Sequence, residues 1–132
     1  LALCSWMQQF SPVAARIMLV CTVVMFVPGV VHHVFCGTVE WFYIRLGRTE
    51  EARQVILEFF KKTMSTMLAC FVGFLVFSVV LLVMVAMGLT ALPRWACLLN
   101  LLVLFAVMAP FRIVGTLNIA GALMLAGLCI LL

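Results

Sequence analysis

The run from Thr63 to Leu89 contains no charged residue, and its hydroxyl groups are confined to Thr63, Ser65, Thr66 and Ser78. As a helix it would extend about 40 Å, against a hydrocarbon core of roughly 30 Å. A water-soluble domain would have to bury that run on every side. The chain has little polar material with which to do so: of 132 residues, 8 are Lys or Arg, 4 are Asp or Glu and 2 are His. Hydrophobic residues make up 68%, charged residues 9%, and the mean hydropathy is +1.38. Ordinary soluble domains are about half apolar and a quarter charged. These numbers exclude a disordered tail and a compact cytosolic enzyme, and they predict an all-α helical transmembrane bundle of about four spans.

Local signals place the spans. Ser11 and Pro12 form a helix start, a cap followed by proline at the first helical position, where its missing N–H costs nothing. The first span is expected over residues 13–43, bent at Pro28 and Gly29 because proline removes a ladder bond. Trp41 and Tyr43 beside Arg45 and Arg48 mark its exit at the headgroups. Thr49, with Glu50 and Glu51 behind it, then reads as a new helix N-terminus. Residues 50–62 form an amphipathic lead-in, with Ala52, Val55, Ile56, Phe59 and Phe60 at helical spacing and Glu58 four residues before Lys62. Nothing separates this lead-in from the span at 63–89. A third span is expected at 94–109, opened by Pro93 and Trp95 and ended by Pro110; residues 111–115 read as a turn and 116–132 as a fourth span.

Loops this short make consecutive spans antiparallel neighbours. Arg45, Arg48, Arg53, Lys61, Lys62 and Arg112 fall on one side of the membrane, Arg16 and Arg94 on the other, so the six-charge side is expected to be cytoplasmic. Leu1 is not an initiator Met and Leu132 lies within an apolar run, so the bundle is expected to be completed by further helices of the same protein or by a partner membrane subunit. The bilayer is the other expected partner. Nucleic acid is not, because the basic residues form no patch with interleaved aromatics.

Polar residues inside apolar segments are the candidates for function. Gly29, His33, Cys36 and Glu40 share one helical stripe, with His32 displaced by about 100°. On one reading Glu40 accepts a proton or cation and His33 relays it. On the other, His33 makes an interhelical hydrogen bond and Glu40 pairs at the interface. Asn118 lies on a stripe with Gly115, Ala122 and Ala126 that suits close helix packing, and Asn100 is placed to bond to another helix or to line a cavity. Arg16, Arg45, Arg48, Arg94 and Arg112 read as lipid or topology anchors. No metal site is expected, since His32 and His33 are adjacent and point apart, and the six cysteines match no metal spacing and read as small packing residues. There is no phosphate-binding loop, no nucleophile elbow, and no Asp anywhere, so no cofactor is implied.

The tract from Gly88 to Trp95, with Leu99 and Asn100 after it, and the run Gly115, Thr116, Leu117, Asn118 resemble a group of uncharacterised bacterial polytopic membrane proteins. Such proteins are longer, with about six or seven spans, and carry a similar histidine-plus-glutamate helix. The resemblance implies a bacterial inner-membrane setting and part of a larger bundle. It carries no activity to any residue. The sequence therefore leaves three functions open: a transporter-like, sensor or accessory membrane protein with a His/Glu polar site; an intramembrane or lipid-modifying enzyme with His33 and Glu40 as acid and base and Asn100 orienting substrate; or a structural or assembly subunit.

Overall fold

A computed structural model describes residues 1–112 and 115–132. Among the described residues five α-helices follow one another: α1 (Ala2–Met7), α2 (Pro12–Arg45), α3 (Glu50–Ala86), α4 (Leu101–Met108) and α5 (Thr116–Leu131). Short 3₁₀ segments at Arg94–Leu99 and Ala109–Phe111 flank α4. The described residues contain no strand, so the fold is all-α as the composition predicts. Two compact units form, one from Val20–Phe74 and the other from Leu1–Leu19 with Leu75–Leu132.

The unit at Val20–Phe74 is a helical hairpin. α2 ends on Gly47, whose φ of 72° closes a Schellman turn: its N–H donates to the Ile44 carbonyl and that of Arg48 to the Tyr43 carbonyl. Thr49 then caps α3, its Oγ1 accepting the Ala52 N–H at 3.2 Å, with Glu50 and Glu51 in the first turn. Contacts run in opposite directions along the two helices. Phe35 meets Phe59 edge to face, His32 meets Thr66, and Gly29 meets Cys70.

The seam follows a spacing of three and four residues. On α2 it uses Cys21, Met25, Gly29, His32, Cys36, Val39 and Tyr43; on α3 it uses Ala52, Ile56, Phe59, Thr63, Thr66, Cys70 and Gly73, all buried or half-buried. The tightest approach is at Gly73, where an added Cβ would stand 2.9 Å from both the Cys21 carbonyl oxygen and the Met25 nitrogen. α2 carries Pro28 without interruption over its 34 residues.

In the second unit α3 closes on Gly88 with the same Schellman pattern, the Leu89 N–H donating to the Met84 carbonyl. The expected third span at 94–109 is not one helix. It is a 3₁₀ segment, a break at Asn100 with ψ of 142°, and then the eight residues of α4. The cause is Asn100 itself, whose Oδ1 accepts the Leu102 N–H at 3.0 Å and so restarts the chain as a capped helix. Pro110 does not end the segment at residue 109 but sits in the 3₁₀ turn that extends it to Phe111.

α5 packs on α4 and on the first 3₁₀ segment through Thr116, Ala120, Met124 and Leu128, which are all buried. Gly127 leaves room for Leu99: an added Cβ would lie 2.8 Å from Leu99 Cδ1. The expected turn at 111–115 falls partly outside the described residues. At its edges Arg112 and Gly115 both take left-handed φ values. α1, with Cys4 and Met7 buried, has no counterpart among the expected elements.

Candidate functional site

An open groove of about 390 Å³ lies between the C-terminal half of α2 and the N-terminal half of α3. That size is within the range of small-molecule sites. At its mouth are Glu40, Tyr43 and Arg53, with Leu57 exposed at its edge; its more buried lining is Cys36, Val39, Ile56 and Phe60. The gradient from polar to apolar follows from the register of the hairpin. Tyr43 and Arg53 lie near the Gly47 turn, whereas Cys36 and Phe60 lie about two helical turns further from it.

Each polar group at the mouth is positioned differently. The Tyr43 hydroxyl donates to the Arg48 carbonyl at 3.4 Å, across the turn. Arg53 Nε donates to both carboxylate oxygens of Glu50, at 2.9 and 3.1 Å. This bond holds the Glu50 carboxyl below its usual range and raises the Arg53 guanidinium further. Glu58 and Lys62 form the expected second pair at 2.7 Å, which likewise lowers the carboxyl and raises the ammonium. Glu40 is exposed and makes no ion pair among the described residues.

The stripe of Gly29, His33, Cys36 and Glu40 is brought together only in part. Cys36 and Glu40 line the groove; Gly29 lies deeper in the seam, with an added Cβ 3.2 Å from Cys70 Sγ. His33 is exposed and takes no part in the groove. Its neighbour His32 faces α3 instead, with Nδ1 3.2 Å from Thr66 Oγ1 and its ring 6.5 Å from that of Phe60. The reason is the seam: Gly29, His32 and Cys36 advance by three and four, which keeps His32 between them and turns His33 outward.

Asn100 bonds to another helix, as one reading of it expected. It is 3% exposed, and its Nδ2 donates to the Ser78 carbonyl at 2.9 Å. Beside it is a cavity of about 10 Å³, room for one water at most, bordered by Leu82, Val85 and Cys97. Ser78 Oγ is fully buried and has no hydrogen-bond partner among the described residues.

Asn118, expected to pack helices, is exposed, as are Ala122 and Ala126. The small-residue stripe thus points away from the face that α5 buries, because Thr116, Ala120, Met124 and Leu128 offer the bulkier and better-filled surface. The arginines Arg16, Arg45, Arg48, Arg94 and Arg112 are all exposed. Arg45 lies over the Trp41 ring, 5.8 Å from its centroid, and the Arg94 guanidinium rests against Gly88.

Sequence reasoning missed Gly73 and Arg53. The signal for the first was the small pair Ala69 and Gly73, four residues apart on one face; the signal for the second was an acid three residues before an arginine at a helix start. No cluster of three or more His, Cys, Asp or Glu able to hold a metal forms among the described residues.

A family described as a family of unknown function (DUF6796) matches residues 1–130, and the chain belongs to it. No curated protein and no solved structure matches the chain.

Proposed function

We propose that this member of the family is a multi-pass integral membrane protein of the bacterial inner membrane, a sensor or accessory protein rather than an enzyme, with the groove beside Glu40 as its receiving site. One observation carries the membrane reading. α2 and α3 are 34 and 37 residues long, yet only 28% and 22% of their most apolar stretches are buried. The core helix of a soluble protein is buried over most of its length. Here Val23, Phe26, Val27 and Val30 on α2, and Phe71, Val72, Leu75 and Val79 on α3, face outward. Each is about half exposed, so in water each would forfeit about 1 kcal/mol relative to burial, whereas in hydrocarbon none would.

The charge-free part of α3, from Thr63 to Ala86, spans about 35 Å, which matches the hydrocarbon core. The basic residues around Gly47 then lie at the cytoplasmic headgroups.

An enzymatic role has less support. His33 lies outside the groove that holds Glu40, and both ends of the Asn100 amide are engaged within the fold. An assembly role has a specific observation in its favour: His33 and Asn118 are polar, exposed and set among apolar residues, where partner helices would satisfy them. The two roles are compatible in an accessory subunit.

Extraction of membranes at alkaline pH tests the reading. The protein is expected to stay in the lipid pellet and to require detergent for purification. Release into the carbonate supernatant as a folded monomer would overturn it.

A further inference from the structure

The groove between α2 and α3 combines three features that define a ligand class. Its floor is apolar, with Val39, Ile56 and Phe60 leading away from the turn. Its mouth carries both signs of charge, Glu40 on α2 and Arg53 on α3. Both charges sit at the level of Trp41, Tyr43 and Arg45, the residues that mark the headgroup layer. A wholly anionic ligand would meet an uncompensated carboxylate there. A wholly cationic one would meet a guanidinium in a segment that also holds Arg48, Lys61 and Lys62.

We infer that the groove receives a glycerophospholipid with a primary-amine headgroup, the ammonium donating to Glu40, the phosphate on Arg53 and one acyl chain along the apolar floor. The two charged residues are not equivalent. Glu40 has no ion-pair partner among the described residues, so its carboxylate is available to a ligand ammonium. Arg53 already gives its Nε to Glu50, which leaves only the terminal nitrogens of the fork for a phosphate oxygen and offsets part of its charge. Selectivity among headgroups therefore rests on Glu40, and Arg53 adds an attraction common to all phospholipids. A choline headgroup carries the same charge but no N–H, so it loses the charge-assisted hydrogen bond.

The inference rests on the membrane reading above. It is tested by native mass spectrometry of the full chain in detergent, with dioleoyl phosphatidylethanolamine, phosphatidylcholine or phosphatidylglycerol added at equal concentration. Phosphatidylethanolamine is expected to be retained about tenfold more than phosphatidylcholine, the size of one charge-assisted hydrogen bond. Glu40→Gln is expected to remove that preference, and Glu51→Gln, on the exposed side of the first turn, to keep it. Arg53→Gln should lower retention of all three lipids together. A second series needs no variant: on successive N-methylation of the ethanolamine, the largest fall in retention by the native protein should come with the third methyl group, which removes the last N–H. Equal retention of the three lipids, a stronger preference for phosphatidylglycerol, or a lipid-free dimer would overturn the inference while leaving the membrane reading intact. A chain that is monomeric and folded without detergent would overturn the membrane reading itself.

Discussion

The side-chain amide of Asn100 donates to the backbone carbonyl of Ser78 at 2.9 Å, bridging 22 residues of sequence. The same side chain caps α4 through its oxygen. One residue thus ends a 3₁₀ segment, starts a helix and ties both to α3. Replacement by Ala removes the cap and the bridge together, and the expected loss is about 1–3 kcal/mol. Asn100→Asp retains the capping oxygen but sets a buried carboxylate against the Ser78 carbonyl, so it should be at least as destabilising as Ala. Thermal unfolding in detergent, followed by circular dichroism, checks the order; equal melting temperatures for all three proteins would contradict it.

The hairpin of α2 and α3 depends on Gly73 more than on Gly29. A methyl group at 73 would meet backbone atoms at 2.9 Å, which cannot move aside without shifting a helix. A methyl group at 29 would meet the Cys70 sulfur at 3.2 Å, a side chain that can rotate. Gly73→Ala should cost about 1–3 kcal/mol and Gly29→Ala under about 1 kcal/mol. Matching melting temperatures for the two variants would show that the seam is looser than described.

Much of the helical layout is legible in the sequence because end signals act locally. Ser11, Thr49 and Gly88 each mark a helix end through a hydrogen bond or backbone angle that neighbouring residues alone determine. The seam is harder to read. α2 and the part of α3 from Thr63 onward are apolar nearly all round, so hydrophobic periodicity is flat there, and the inward face is marked by Gly29, His32, Cys36, Thr66, Cys70 and Gly73 instead. Adjacent histidines cannot be told apart without the register, which is why His33 was expected where His32 stands. The break at Asn100 is equally non-local: it needs the Ser78 carbonyl, which only folding brings near.

Acid should loosen the start of α3 without affecting its apolar length. Glu50 and Glu58 lie outside the proposed spanning segment, and their ion pairs hold both carboxyls below the ordinary value of 4.5. A lowered folded-state value means that the contribution is complete above pH 4.5 and is lost as pH falls through the lowered values. Amide exchange measured over residues 50–62 should therefore be flat near neutrality and rise in acid. The double variant Glu50→Gln, Glu58→Gln should lose most of that acid response. An unchanged acid response in the variant would assign it to other groups.

The turn at Gly47 should face the cytoplasm, since Arg45, Arg48 and Arg53 cluster about it. Leu46→Cys, measured against the native cysteine background, is expected to react with a membrane-impermeant maleimide only after the cells are permeabilised. Labelling in intact cells would reverse the orientation.

The central claim is that the outward faces of α2 and α3 are solvated by hydrocarbon. Nitroxide labels at Phe26 and Val72, both exposed, report this directly in the protein reconstituted into bilayers. Relaxation by oxygen is expected to dominate at both sites, with little effect from a water-soluble nickel chelate. Dominant relaxation by the nickel chelate at either site would contradict the account.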